Sequence, residues 1–178
     1  MWGWSNALVG AVSKSLEDHP YWGGRLPKEA DHGERPVCAV HLGVFAEPFL
    51  TWVLDGTKTV ESRFSIHRQA PYGAVEPGDV LFLKRCAGPV IGVAEVGCVW
   101  DYQLNAAAWK VIKARFGPAL RIEDPLFWKR KASACYATLM KLERVTSVRN
   151  VFCAKRDRRA WVVLTARENS IGGRDGIA

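Results

Sequence analysis

Two hydrophobic periods alternate along this chain, and their order predicts short strands with helices set between them. Phe49, Leu50, Trp52, Val53 and Leu54 recur at helical spacing after Pro48, a residue suited to a helix's first turn, and Gly56 supplies the stop. The period then drops to two: over residues 59–64, Thr59, Glu61 and Arg63 fall on one face and Val60, Ser62 and Phe64 on the other. Residues 37–42 read as a strand ahead of that helix, and residues 67–75, with Pro71 and Gly73, as a loop after it. Pro77 and Gly78 occupy the central positions of a type II turn, and Val80, Leu81, Phe82 and Leu83 form an apolar strand expected to be buried on both faces.

Residues 89–100 predict another strand, in which Gly92 and Gly97 mark bulges or bends. Asn105 is a good N-cap for a helix whose apolar stripe is Ala108, Ile112 and Phe116, with a stop expected at Gly117 and Pro118. A second helix is expected over residues 124–132, with Pro125 at its first position and Leu126, Phe127 and Trp128 buried or half-buried. Strands over residues 136–145 and 161–164, joined by a basic connection, bring the total to about six. Interleaving of this kind indicates an α+β, barrel-like domain over residues 37–165.

Residues 1–36 form an N-terminal extension with an expected short helix over 6–16; its Trp2, Trp4 and Trp22 either pack on the domain or make an arm for a protein partner. Residues 166–178 are expected to be a frayed tail. With 178 residues, 48% hydrophobic and 24% charged, the chain can bury a real core. No apolar run approaches the roughly 18 residues of a membrane span. The apolar patch at residues 7–12 lacks a leader's basic flank and cleavage site, so a cytoplasmic protein with no membrane partner is expected. Five scattered cysteines without a C-x-x-C fit reduced thiols; Cys38 and His41 have a ligand-like gap but no second pair, so no metal is expected.

Charge changes the picture more than composition does. Residues 1–104 carry 9 Lys and Arg against 12 Asp and Glu, whereas residues 105–160 carry 14 against 4. A segment at +10 within a chain at +7 is suited to phosphate, and aromatic residues near it can stack on bases. Trp52, Tyr72, Trp128 and Tyr136 are the candidate aromatics, and Lys84, Arg85, Lys129 and Arg130 the candidate cations beside strand and helix ends. Cations at a helix C-terminus also complement its dipole, which is an equally good reason for Lys129, Arg130 and Lys131. The loop after the charged strand offers His67, Arg68, Gln69 and Tyr72 as further contacts.

The densest chemistry is Gly56-Thr57-Lys58-Thr59-Val60-Glu61-Ser62-Arg63. If only Val60 and Phe64 face a core, Glu61 and Arg63 form an exposed pair worth about 0–1 kcal/mol. If both faces are covered, the pair is costly to desolvate and points to a ligand. The pattern Gly-x-Lys-x-x-Glu-x-Arg, at Gly56, Lys58, Glu61 and Arg63, resembles the signature of the ASCH domain family. That resemblance implies a PUA-like fold, a small mixed β-barrel of about six strands with flanking helices, related to modules that bind RNA or modified bases.

Three functions follow as expectations. In the first, the chain binds RNA or a nucleotide-like ligand, with Lys58 and Arg63 on phosphate or a base edge and Glu61 orienting Arg63 or accepting from an amine such as cytosine N4. In the second, the same cleft is catalytic, either as a metal-independent ribonuclease or as an amidohydrolase on a modified nucleoside, using Lys58 and Glu61, with Glu123 as the distant acid. Glu61 stands where the resembling amidohydrolases have a threonine nucleophile, a departure that weighs against that chemistry. In the third, residues 1–36 make the chain a protein-interaction module. No cofactor is implied by any of them.

Overall fold

Strand β3, Val80–Arg85, is the clearest product of the hydrophobic pattern. In the computed structural model, which describes residues 3–26, 38–156 and 158–167, Val80 and Phe82 face one core and Leu81 and Leu83 another. The run is apolar throughout because both faces are covered. The remaining elements are α1 (Gly3–Ser15), β1 (Val40–Phe45), α2 (Phe49–Leu54), β2 (Val60–Ser65), β4 (Val90–Gln103), α3 (Ala106–Leu120), α4 (Pro125–Arg130), β5 (Tyr136–Val151) and β6 (Trp161–Thr165).

The strands form one mixed sheet in the order β2-β5-β4-β3-β1-β6, in which β1 and β3 run parallel and the other neighbours antiparallel. Two of the register shifts between β4 and β5 fall at Val90/Gly92 and Val96/Cys98, beside Gly92 and Gly97, where an added Cβ would stand 2.7 Å from Leu54 and 2.5 Å from Glu143. These bulges help the sheet curl into a half-barrel with flanking helices, the α+β, barrel-like arrangement expected from the order of the elements. Outside the curl, α1 and Trp22 cover β1, β3 and β6, and the Trp22 indole donates to Thr146 Oγ1 at 2.9 Å. Glu95 fastens this segment further, pairing with Arg25 at 2.8 Å and Arg144 at 3.1 Å and accepting from the Tyr21 hydroxyl. Inside the curl, Leu50 and Val53 of α2 pack against Leu81, Leu83, Met140 and Trp161. A third core puts Ile112, Phe116 and Leu120 of α3 over Val60, Ala137 and Leu139.

Four expectations need correction. β1 begins at Val40 and extends to Phe45, because its partner β3 is in register Val40 to Val80 through Phe45 to Arg85. β5 continues to Val151, so Arg149 lies within a strand and not in the basic connection; its polar second half is held by pairing to β4, which a hydrophobic period cannot reveal. α3 runs through Gly117 and Pro118 to Leu120, because the proline costs one hydrogen bond near the helix end while Leu120 is fully buried; Arg121, at φ 55°, makes the stop. Leu126 is 54% exposed, since α4 turns Phe127 and Trp128 inward instead. Trp2, residues 27–37 and most of the 166–178 tail lie outside the described residues.

Candidate functional site: the seam of the curled sheet

β2 is covered on both faces. Val60 and Phe64 pack toward α3, and the alternation therefore turns Glu61 and Arg63 into the curl. Of the two readings of the signature, the covered one holds: Lys58 is 3% exposed and Glu61 7%. Lys58 Nζ donates to the carbonyls of Val60 at 2.6 Å and Leu120 at 3.1 Å, and Glu61 Oε2 lies 3.4 Å away. Its three protons thus have three acceptors, one of them at the C-terminal end of α3, where a cation complements the helix dipole. Burial pushes the Lys58 ammonium below its ordinary value of 10.5, Glu61 opposes that shift, and Arg63 adds to it.

Arg63 joins the two free edges of the sheet. Its Nη1 donates to Val44 O of β1 at 3.0 Å and to Ala160 O, just before β6, at 3.2 Å. The guanidinium lies 4.8 Å from the Phe45 ring centroid and 5.3 Å from that of Trp161. Nε sits 3.0 Å from Glu61 Oε1, near enough for an ion pair but off the N–H line, and Nη2 is buried without an acceptor. Gly43 makes room: a Cβ there would stand 3.3 Å from Nη2 and 2.9 Å from the Phe45 ring.

β2 and β6 are the two edge strands, and the gap between them is a cleft of about 400 Å³. Arg63, Gln69, Tyr72, Thr138, Arg159 and Trp161 are among its lining residues. The Thr138 hydroxyl donates to Asp101, whose other oxygen accepts the Gly73 N–H at 2.9 Å, so the loop of Gln69 and Tyr72 is tied to the sheet. With its proton committed, Thr138 has only acceptor capacity left for a ligand. Tyr72 stands edge-on to Tyr136, centroids 4.9 Å apart, with Arg68 over its ring at 5.5 Å.

Trp161 is fixed from behind. Its indole N–H can only donate, so His41 Nδ1, 3.3 Å away, is the acceptor and His41 Nε2 carries the proton toward Asp79 Oδ2 at 3.1 Å. Asp79 also accepts from Ala39 N and Glu76 N, each at 2.8 Å, and from Arg167. The ligand-like gap from Cys38 to His41 is therefore a strand residue in a buried hydrogen-bond network. Among the described residues no group of three His, Cys, Asp or Glu side chains is placed to hold a metal ion.

The other candidates are spread over the surface. Trp52 is half-buried beside Phe49, with Arg121 5.2 Å from its centroid. Lys84 gives its protons to the carbonyls of Arg85 and Gly88, and Arg85 pairs with Glu47 at 3.1 Å. Trp128 is half-buried under Lys113, while Lys129 and Arg130 are exposed, the latter paired with Asp124 at 3.0 Å. Glu123 points to solvent with its side chain 77% exposed and pairs with Arg121. Sequence reasoning missed Trp161, Thr138 and Gly43; a glycine inside β1 was the available signal for the last.

Curl, helices and seam define an ASCH-like fold. No protein-family model matches the chain, and no curated protein matches it in sequence. Among solved structures, the chain is similar to the crystal structure of ASCH from Zymomonas mobilis, with a TM-score of 0.51 and 17% identity over 63% of this chain and 72% of that one. Structures of two point variants of that protein align with TM-scores of 0.50 and 0.51, each at 17% identity, covering 74% and 75% of their chains and 63% and 65% of this one. The likeness is one of fold.

Proposed function

We propose that this ASCH-like protein binds RNA or a nucleotide-like ligand in the seam cleft. The observation that carries the reading is the cleft itself: a pocket of about 400 Å³ with a cation, two aromatic rings and an acceptor-only hydroxyl converging on it. Pockets for small ligands run from about 300 to 1,000 Å³, so this one suits a single nucleotide rather than a duplex. Arg63 and Arg159 are the phosphate or base-edge contacts, Tyr72 and Trp161 the apolar walls, and Gln69 and Thr138 the hydrogen-bonding groups. Lys58 and Glu61 act through Arg63, which they hold in place. The uneven charge of the chain supplies attraction to a polyanion.

A catalytic use of Lys58 with Glu61 draws no support from this geometry, because the lysine's protons are committed and the glutamate lies between two cations. The test is titration of labelled single-stranded RNA, in EDTA and at two salt concentrations, with strand integrity followed in the same tubes. Binding that Tyr72→Ala and Gln69→Ala weaken, with the RNA intact, supports the reading. RNA cut by the wild type makes the seam an active site instead, and the absence of binding to RNA and to nucleotides removes the reading.

A further inference from the structure

The cleft is not where the cations end. Phe64, which borders the cleft at the edge strand β2, turns its ring to the α3 face and stacks on Trp109, centroids 5.3 Å apart at 15°. Trp109 meets Trp128 at 6.0 Å, Trp128 meets Phe127 at 5.3 Å, and Phe127 meets Phe49 at 6.3 Å. These five rings form a continuous ladder that starts at β2, the strand bordering the cleft, and crosses α4, and each is half-buried, with part of its surface in solvent. Cations stand over it, Lys113 Nζ at 5.4 Å from the Trp128 centroid and Lys131 Nζ at 5.8 Å from Phe127. Residues 105–131 carry seven Lys and Arg against two acidic residues. Among the described residues, no carboxylate pairs with Lys113, Lys129 or Lys131, whereas Arg130 is held by Asp124.

Lys129 and Lys131 also complement the C-terminal end of α4, but Lys113, in the middle of α3, has no such reason to stand over Trp128. Rings with solvent-facing surface and cations beside them fit bases and phosphates together. An acidic peptide would use the lysines but not the rings. A duplex would use the lysines but offers no unstacked base.

Resting on the reading of the seam as a nucleotide site, we propose that the cleft takes one nucleotide of a longer single-stranded RNA. The strand continues from Phe64 over α3 and α4, bases against the ring ladder and phosphates on Lys113, Lys129 and Lys131.

The test is a titration of the full chain, wild type and a Lys113→Ala/Lys131→Ala double variant, at several salt concentrations. Its probes are single-stranded RNA of about eight nucleotides, a span typical of such surfaces, the same RNA annealed to its complement, and ribonucleoside monophosphates. The expected result is that the strand binds wild type at least about tenfold more tightly than the monophosphates do, with a salt slope that falls by about 1.4 in the double variant, roughly 0.7 per phosphate contact. A strand no tighter than a monophosphate, or a slope the double variant leaves unchanged, overturns the track while the cleft reading stands. Equal binding of the duplex overturns the commitment to a single strand. No binding by any probe overturns the cleft reading and the track together.

Discussion

The cations of the signature and those of α3 and α4 carry the same charge and do opposite things. Lys58 and Arg63 are enclosed, the lysine's protons taken by two carbonyls and Glu61 and the arginine's Nη1 by two further carbonyls, and together they tie β2 to the end of α3, to β1 and to the start of β6. Lys113, Lys129 and Lys131 stand outside, over or beside aromatic rings. Lys58, with an acceptor for every proton, is a strut; Arg63 braces the seam and also lines the cleft; a lysine facing water and a ring is available to a polyanion outright. The residues most recognisable in the sequence are thus mainly those that shape the cleft, and the ones free to attract a polyanion are unremarkable lysines.

The largest effect that would break this contrast is expected at Glu61. Glu61→Ala leaves two buried cations without their carboxylate and should cost about 3–5 kcal/mol in urea unfolding. A loss below 1 kcal/mol, on the order of an exposed pair, would show the strut to be an ordinary surface pair. Next comes Arg63→Lys, which keeps the charge but loses the planar group that lies on the Phe45 and Trp161 rings while Nη1 reaches the two carbonyls and Nε stands beside Glu61. It should cost about 1–3 kcal/mol, with faster amide exchange at the β6 edge; unaltered exchange there would mean that the seam closes without it.

Lys58 gives a test with a definite sign. Its folded value lies below the 10.5 of the free side chain. Between the folded and free values the unfolded chain holds the extra proton, so Lys58 makes stability rise with pH there, by up to about 1.4 kcal/mol per pH unit, and leaves it flat below. Urea melts of wild type and Lys58→Met, from neutral pH to about pH 10, should show the difference moving in favour of wild type as pH rises. A constant difference would argue that Lys58 is not desolvated. The smallest stability effect belongs to the outer group: Lys129→Ala should change stability by no more than about 0.5 kcal/mol and lower the salt slope of RNA binding by about 0.7.

Much of the fold was legible. The period of two over residues 59–64, the turn at Pro77 and Gly78, the doubly buried β3 and the Asn105 cap all stand, because each is a local consequence of backbone geometry. Gly78 at φ 89° occupies the turn position that glycine suits, and Asn105 accepts from Ala108 N at 2.9 Å. What pairing decides was less legible. The polar half of β5 is a strand because β4 lies beside it, and α3 continues through Pro118 because Leu120 has a core to enter.

The candidate site divides in the same way. Residue order alone placed Glu61 and Arg63 on one face of a strand and set Lys58 just before it, since a strand's side chains alternate whatever surrounds them. Which way that face turns depended on α3 occupying the other side. The cleft depended on two edge strands nearly 100 residues apart, with Arg63 reaching Ala160 across them. Trp161 and Thr138 became part of a site only by that closure, and His41 became a hydrogen-bond partner of Trp161 only through the pairing of β1 with β6. Local periodicity follows from covalent geometry and is written in neighbouring residues. The surroundings of a buried charge are set by chain segments far away in sequence, and the tertiary structure alone brings them together.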